Sequence, residues 1–147
     1  MLELYLGQLD VDKIFLRWRK WGERKNYGAF ITFIGTVRAE DDIEALSFDV
    51  YEPILTQWFE EWQQKAKAKG AYLMMAHSIG NVPVHTSSYM AAVFSPKRRV
   101  ALELIEEFVE DFKANAPIWK YDVIAGKRHY ARERSHKIVG SGLLASK

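Results

Sequence analysis

The order of strand-like and helix-like segments is the feature of this sequence that most constrains its fold. Runs that alternate or are rich in β-branched and aromatic residues indicate strands, and apolar residues spaced three and four apart indicate helices. Along the 147 residues these patterns predict strand, helix, strand, strand, helix, strand, strand, helix, strand, strand. Because many neighbouring strands can pair as hairpins, this order favours an α+β fold with mostly antiparallel sheet and three main helices over a doubly wound parallel one.

Local signals set the predicted boundaries. Strands are predicted at Leu2–Leu6, Ala29–Gly35, Ala45–Tyr51, Ala71–Ile79 and Ser88–Phe94, and then as two strands across a turn at Gly126. Asp10 is a predicted N-cap for the first helix. Pro53 opens the second helix and Gly70 ends it. Ser95 and Pro96 supply an N-cap and a first-turn proline for the third helix.

Two of these segments carry more specific expectations. The continuous apolar run Ala29–Gly35 suits a central strand, and its last glycine suggests a bulge or a close backbone approach. Residues 80–87, which include Pro83, are predicted to form a turn-rich connection between strands.

Composition limits the class of protein. With 48% hydrophobic residues, the chain can bury a core and fits a single domain over residues 1–147, with 140–147 as a flexible tail. The absence of cysteine excludes disulfides, thiolate metal sites and a persulfide carried by this chain. The four histidines lack the spacing of a metal set, so we predict no metal and no cofactor. Without a leader-like or membrane-spanning run, we expect a cytoplasmic protein.

Charge is distributed unevenly along the chain. From Lys120 to the end there are seven Lys/Arg against two Asp/Glu, whereas the preceding residues carry 14 against 17. The overall charge of +2 therefore conceals a basic C-terminal segment, which contains Arg132, Arg134, His136 and Lys137. This asymmetry points to an anionic substrate or partner near that end.

Two basic clusters precede this segment. Arg38, with the backbone of Thr36 and Val37, follows a predicted strand, where its guanidinium could hold a phosphate or carboxylate. Residues 97–99, Lys-Arg-Arg, lie in the predicted first turn of the third helix, where cations oppose the helix dipole unless an anion binds there. Taken alone, Arg38 is more often a surface or ion-paired arginine, and residues 97–99 could instead be solvated.

A third cluster combines Lys120 with Lys127 and Arg128, which the turn at Gly126 could bring onto one surface. Lys120 follows the apolar residues 117–119, Pro-Ile-Trp, so its amine could be partly desolvated and have a lowered pKa suited to acid/base or nucleophilic work. A solvated basic edge is the alternative. His77 ends an apolar strand and is interpreted as a hydrogen-bonded structural residue.

Common catalytic motifs are absent from the sequence. There is no Walker loop, G-x-G-x-x-G, H-E-x-x-H or G-x-S-x-G, which argues against the enzyme classes that use them. A nucleic-acid-binding module and a noncatalytic docking or scaffold protein with a basic groove remain alternatives to an enzyme.

Five segments, in order, resemble one family. They are Gly28–Arg38, Tyr51-Glu52, the run 77–80 (His-Ser-Ile-Gly), Ser95-x-x-Arg98 and the run 116–120 (Ala-Pro-Ile-Trp-Lys). Together they resemble the large catalytic subunit of molybdopterin synthase over about residues 28 to 125. The G-x-V-R and P-x-W-K motifs at this separation are the most specific parts of the match.

The resemblance implies an α/β hammerhead-like fold and a sulfurtransferase of molybdenum cofactor biosynthesis. Such an enzyme converts cyclic pyranopterin monophosphate, or precursor Z, into the dithiolene molybdopterin. Its sulfur comes from a small ubiquitin-like subunit that ends in Gly-Gly, activated as a thiocarboxylate. The family also implies a homodimer of large subunits within a heterotetramer, and neither nucleic acid nor a membrane as partner.

Matching motifs carry the family's functional positions onto this chain. Lys120 and Lys127 are predicted to be catalytic. The predicted substrate-binding residues are Thr36, Val37, Arg38, Lys97, Arg98, Lys120, Lys127, Arg128 and His129. Lys97 replaces a histidine that is common in the family, which removes an acid/base role there but keeps a phosphate-binding one. His85 lies in a stretch that departs from the family pattern, and the resemblance gives it no role.

Overall fold

Seven strands and three helices account for most of residues 1–131, the part of the chain that the computed structural model describes. In chain order they are β1 (Leu2–Leu6), α1 (Val11–Glu23), β2 (Ala29–Thr36), β3 (Ala45–Val50), α2 (Glu52–Ala68), β4 (Tyr72–Pro83), β5 (Ser87–Ser95), α3 (Arg98–Asn115), β6 (Ile118–Ile124) and β7 (Lys127–Tyr130). The predicted α+β class and order of elements are confirmed.

The strands form one sheet in the order β2-β5-β4-β3-β6-β7. All pairs along this path are antiparallel, whereas β1 pairs with residues 75–79 of β4 in parallel. β4 is 12 residues long and pairs with β5 and β1 near its start and with β3 near its end. It therefore joins the two halves of the sheet.

Alternate residues of the central strands face opposite layers, as the pleat of a strand requires. Met74, Ala76, Met90, Ala92 and Phe94 pack with α1. The intervening residues Leu73, Met75, Ala91 and Val93 pack with α2 and α3. The sheet is thus buried on both faces, with one helix on one side and two on the other.

Several local predictions are confirmed. The Asp10 side chain accepts a hydrogen bond from the Lys13 N–H and caps α1. Gly70 follows α2 with φ +73°, a conformation that glycine adopts without strain. Ala125 and Gly126, both at positive φ, form the two-residue turn between β6 and β7, which is typical of tight hairpins.

Three expectations about the strands and the third helix were wrong. β2 lies at an edge of the sheet, and its apolar character arises because Phe30 packs against the α1 layer and Ile31 against the α3 layer. β4 extends through Pro83 into the predicted connection. Ser95 remains in β5 opposite Ala29, so α3 begins at Arg98 with Lys97 as its N-cap and without a side-chain capping bond.

The predicted bulge in β2 is confirmed and bears on the site below. The register of β2 against β5 shifts between Gly35 and Thr36. A Cβ atom at Gly35 would lie 3.3 Å from the Cβ of Tyr89, which is a tight contact, so the glycine lets the two backbones approach closely without a shift of Tyr89.

Two partly buried carboxylates tie helices to the rest of the fold. Glu3 on β1 accepts hydrogen bonds from the Arg17 guanidinium at 2.6 and 2.9 Å, from Trp18 Nε1 at 3.1 Å and from the Tyr5 hydroxyl. This group is called the Glu3 cluster below. Asp111 on α3 accepts from Nε1 of two α2 tryptophans, Trp58 at 2.9 Å and Trp62 at 2.7 Å. The tryptophans thus have structural partners.

No helix within residues 1–131 is long and apolar enough to cross a membrane. The predicted tail at 140–147, together with Arg132, Arg134, His136 and Lys137, lies outside the described residues.

Candidate active site

A cavity of about 470 Å³ opens where the end of β2, the start of β5 and the middle of β6 approach the last turns of α3. Its volume lies in the range of small-molecule sites. Three cationic side chains and one carboxylate are among the described residues that line it, namely Arg38, Lys113, Lys120 and Glu40. The cavity therefore favours an anionic ligand.

Arg38 is held at its base by the residue before it. The Val37 N–H donates to the Thr86 carbonyl at 2.9 Å, and the Val37 carbonyl accepts from the His85 N–H at 2.7 Å. Val37 is only 2% exposed and packs against Phe48 and Val82. Because both of its backbone groups are bonded, Val37 anchors Arg38. Its N–H is not available to a ligand, whereas its carbonyl can still accept a second hydrogen bond.

The Arg38 side chain itself extends into solvent. It is 80% exposed and forms an ion pair with Glu40 at 2.5 Å. The neighbouring Thr36 lines the cavity and lies 3.4 Å from Ser87, measured between the two hydroxyl oxygens. An exposed ion pair of this kind contributes little stability, so an anionic ligand can compete for the guanidinium.

Lys120 enters the same cavity from β6. It lies opposite Phe48 of β3, and both residues line the cavity. Its backbone carbonyl accepts a hydrogen bond from the Ala131 N–H at 3.1 Å, and its side chain is partly buried. The strand pairing thus fixes the backbone position from which the Lys120 side chain extends. Arg38 and Lys120, 82 residues apart in sequence, meet in one site.

Lys97 and Arg98 do not reach the cavity of their own chain. They lie at the start of α3, whereas Phe112 and Lys113 near its end line the cavity. Fourteen residues of helix separate Arg98 from Phe112, or about 21 Å at a rise of about 1.5 Å per residue. Within one chain these cations belong to a separate surface.

The hairpin of β6 and β7 divides the remaining predicted residues. Lys127 lies opposite Ile124 and His129 opposite Asp122, so both share the face of Lys120, but Lys127 is about 13 Å away along the strand. Neither residue lines the cavity. Arg128 faces the other way, where it pairs with Asp49 at 2.9 Å and stacks over the Tyr121 ring.

Several lining residues are not among those predicted from the sequence, and His77 is one that was interpreted as structural. His77 is 2% exposed and lines the cavity with Phe48, Tyr89 and Phe112. Burial lowers its pKa from 6.5 to about 4, against a smaller raising effect of its hydrogen bond to the Ser78 carbonyl. Burial also raises the pKa of Tyr89 well above its usual value. Both side chains are therefore neutral at pH 7.

No three His, Asp or Glu side chains within residues 1–131 are grouped so that they could hold a metal ion. The described lining of the cavity instead offers lysine and arginine side chains, neutral polar groups and aromatic rings. This set can bind an anion attached to a flat ring and can stabilise negative charge during a reaction.

Comparison with known proteins identifies the family. The family model described as MoaE protein matches residues 7–115. The chain belongs to this family. It is 52% identical to the molybdopterin synthase catalytic subunit of Helicobacter pylori (strain ATCC 700392 / 26695) over 145 residues, covering 99% of this chain and 100% of the relative. The catalytic subunit of Bacillus subtilis (strain 168) is 33% identical over 106 residues, covering 69% of this chain and 68% of the relative.

Solved structures agree with the MoaE assignment. One is the protein-protein complex of subunit 1 and 2 of the molybdopterin-converting factor from Helicobacter pylori 26695, with a TM-score of 0.92 and 51% identity over 98% of this chain and 99% of that one. Molybdopterin synthase from Staphylococcus aureus has the same fold, with a TM-score of 0.74 at 22% identity over 87% and 94% of the two chains. The predicted family, and the prediction of an enzyme of the sulfurtransferase class, are confirmed.

Proposed function

We propose that this MoaE-family chain transfers sulfur from the C-terminal thiocarboxylate of a small ubiquitin-like partner to cyclic pyranopterin monophosphate, forming the dithiolene of molybdopterin. The meeting of Arg38 and Lys120 in one cavity beside Lys113 is the observation that carries the proposal. Both reactants are anions, and the cavity provides cations for each of them without a metal.

Lys120 is the proposed catalytic residue. Its ammonium would orient the thiocarboxylate, stabilise the negative charge that develops as the carbon–sulfur bond of the partner breaks, and exchange protons with the reacting groups. Support comes from its place on a paired strand opposite Phe48, because a rigid origin keeps a charged group aligned with the reacting atoms.

Arg38 is the proposed phosphate ligand. Its guanidinium can form two parallel hydrogen bonds to a phosphate, which a lysine cannot do. The ion pair with Glu40 would be exchanged for the substrate, and Thr36 would add a hydroxyl donor. Lys113, absent from the sequence prediction, supplies a further positive charge at the same opening.

Lys127 remains predicted to assist Lys120 in catalysis, and Lys127, Arg128 and His129 remain predicted to bind substrate. Lys127 and His129 continue the cavity-side face of the sheet beyond Lys120, which suits contact with an extended C-terminal tail. Arg128 would first have to leave Asp49. A partner of this kind is consistent with the Helicobacter pylori relative, which was solved as a complex of two subunits. A cytoplasmic location remains a prediction from the sequence.

A homodimer of this chain within a heterotetramer is also proposed. Because Lys97 and Arg98 lie about 21 Å along α3 from the cavity of their own chain, they could serve a substrate there only from a second copy. This is a geometric condition on their predicted role in phosphate binding. It can be tested by mixing two inactive variants, since Lys120→Ala and Arg98→Ala subunits would complement each other in a mixed dimer.

A single-turnover assay tests the proposed function. The protein would be mixed with cyclic pyranopterin monophosphate and a thiocarboxylated small partner, and dithiolene would be measured through its oxidised fluorescent derivative. Lys120→Ala should slow product formation about 100-fold or more, whereas Lys20→Ala, on the exposed face of α1, should not. No product from folded, partner-bound wild type would reject the proposal in favour of a docking protein.

A further inference from the structure

Two polar side chains on the cavity floor have no role in the proposed chemistry. His77 on β4 lies directly opposite Tyr89 on β5, and both line the cavity; the aromatic lining residues His77, Tyr89, Phe48 and Phe112 are called the cavity floor here. They are among the few buried polar residues of the described chain; His77 is 2% and Tyr89 is 5% exposed. Buried polar groups without full hydrogen bonding are uncommon in folded proteins.

The tautomer of His77 follows from its one hydrogen bond. Its Nδ1 lies 2.7 Å from the Ser78 carbonyl oxygen, and because a carbonyl can only accept, Nδ1 carries the proton. A neutral imidazole then has a bare Nε2, which is a hydrogen-bond acceptor. The edge of the ring that carries Nδ1 is turned to the backbone, so the edge that carries Nε2 is the part left to line the cavity.

Aromatic neighbours fix the position of this acceptor. The His77 ring lies 4.9 Å from Phe48 in an edge-on arrangement, 5.5 Å from Phe112 and 5.8 Å from Tyr89, measured between ring centroids. Phe112 in turn stacks on Tyr89 at 4.0 Å. Rings packed from three sides leave the imidazole little freedom to rotate, so Nε2 presents a fixed lone pair.

The Tyr89 hydroxyl is a further polar group of interest in this region. It is buried and has no hydrogen-bond partner within residues 1–131. A hydroxyl can both donate and accept. That oxygen is not accessible from the cavity, so the group that the floor offers to a ligand is the Nε2 acceptor among aromatic rings, while Arg38, Lys113 and Lys120 supply positive charge in the same cavity.

We propose that His77 is a specificity-determining residue, whose Nε2 accepts a hydrogen bond from an N–H group on the ring of the substrate while the aromatic floor packs against that ring. The inference rests on the proposed function, in which the substrate joins an N–H-bearing pterin ring to a cyclic phosphate. It assigns the ring to the floor and the phosphate to the cations. A phosphate ester without such a ring would leave the floor unpaired and bind less tightly.

A pair of variants separates the two nitrogens of His77. Asparagine in His77→Asn can reproduce the Nδ1 donor but has no group at Nε2, whereas glutamine in His77→Gln reaches the Nε2 position and can present an amide oxygen there. Each variant would be titrated by calorimetry with cyclic pyranopterin monophosphate and, separately, with inorganic phosphate. Neither titration needs the partner or turnover.

His77→Asn should bind the pyranopterin about tenfold more weakly and inorganic phosphate as wild type does, and His77→Gln should recover most of the lost affinity. Unchanged pyranopterin affinity in His77→Asn would overturn the inference. So would an equal loss for phosphate, since that pattern indicates a general structural role. Failure of the proposed function gives a different result, because wild type itself would then form no product.

A measurement on the wild-type protein guards against a variant that fails to fold. With ¹⁵N-labelled histidine, the Nε2 resonance of His77 should have the shift of an unprotonated nitrogen and move upfield when the pyranopterin is added. Inorganic phosphate should not move it. A resonance that is unchanged by the pyranopterin would overturn the inference independently of any substitution.

Discussion

Charged side chains are bonded differently in the Glu3 cluster and in the cavity. Glu3 is enclosed by its own donors, with Arg17, Tyr5 and Trp18 all bonded to one carboxylate. In the cavity, three cations and one described carboxylate are among the lining residues, and the Arg38–Glu40 ion pair leaves the Arg38 side chain 80% exposed. A charge held by several hydrogen bonds within the fold stabilises the fold, whereas an exposed ion pair can be exchanged for a ligand. The two regions therefore predict different consequences of mutation.

Removing the Arg38 guanidinium should have the largest effect. Arg38→Ala should reduce the single-turnover rate by about 10²–10³-fold, because the guanidinium proposed to bind the phosphate and to stabilise developing negative charge is lost. The urea midpoint should stay near that of wild type, since the side chain is 80% exposed. A large loss of stability with normal activity per folded molecule would contradict the contrast between the two regions.

Removing the charge of Glu3 should do the reverse. Glu3→Gln should lower the free energy of unfolding by about 1.5–3 kcal/mol, the usual contribution of hydrogen bonds to a charged group. Urea unfolding followed by tryptophan fluorescence would measure this loss, with Glu23→Gln, an exposed residue on α1, as the control. The sulfur-transfer rate per folded molecule should not change, and a changed rate would show that the cluster is coupled to the site.

Lowering the pH should reduce the free energy of unfolding of wild type more than that of Glu3→Gln. Burial raises the pKa of Glu3, but the hydrogen bonds from Arg17, Tyr5 and Trp18 outweigh burial and lower the pKa from 4.5 to about 2. A depressed folded-state pKa gives stability that is complete above the unfolded value and is lost as the pH falls from about 4.5 to about 2. Wild type should therefore lose its advantage over Glu3→Gln in this range.

Subtracting the free energy of unfolding of Glu3→Gln from that of wild type separates the contribution of Glu3 from that of His77. His77, whose folded-state pKa is also lowered, costs stability as the pH falls from 6.5 towards 4, but it does so equally in both. Unfolding free energies measured from pH 7 to 2 would supply the comparison. Parallel curves over the whole range would exclude Glu3 as the acid-sensitive group.

The smallest expected effect concerns Glu40. Glu40→Gln removes the carboxylate that pairs with Arg38 at 2.5 Å and so removes a competitor for anionic substrate. Because exposed pairs contribute about 0.2–1 kcal/mol, substrate should bind about 1.4- to fivefold more tightly. Calorimetric titration would measure this gain, and weaker binding would instead identify Glu40 as a residue that positions Arg38.

Sequence predicted those parts of the fold that depend on local signals. Asp10, Gly70 and Gly126 have the conformations that their residue types favour, and the periodicity of the segments identified every helix and strand within residues 1–131. The predictions that failed depended on tertiary neighbours. A continuous apolar run indicates burial on two faces, but both central strands and an edge strand between helix layers satisfy that condition.

The site was less accessible from sequence than the fold. Motifs singled out Arg38 and Lys120, but only the pairing of β3 with β6 brings Lys120 to the cavity. Lys113 gave no signal, because a lysine in the last turn of a helix is already explained by the helix dipole. His77 was interpreted as structural because buried histidines usually are, and the role proposed for it above depends on a cavity that sequence does not describe.

The two backbone hydrogen bonds of Val37 make the position of Arg38 depend on how often the loop between β4 and β5 detaches from Val37. Its amide lies just beyond the end of an edge strand, where protons usually exchange quickly with solvent. Here that proton is bonded to Thr86, so it can exchange only when the hairpin loop detaches from Val37. The same detachment would release the base of Arg38. Deuterium uptake at the Val37 amide therefore reports how often the base of Arg38 loses its anchorage.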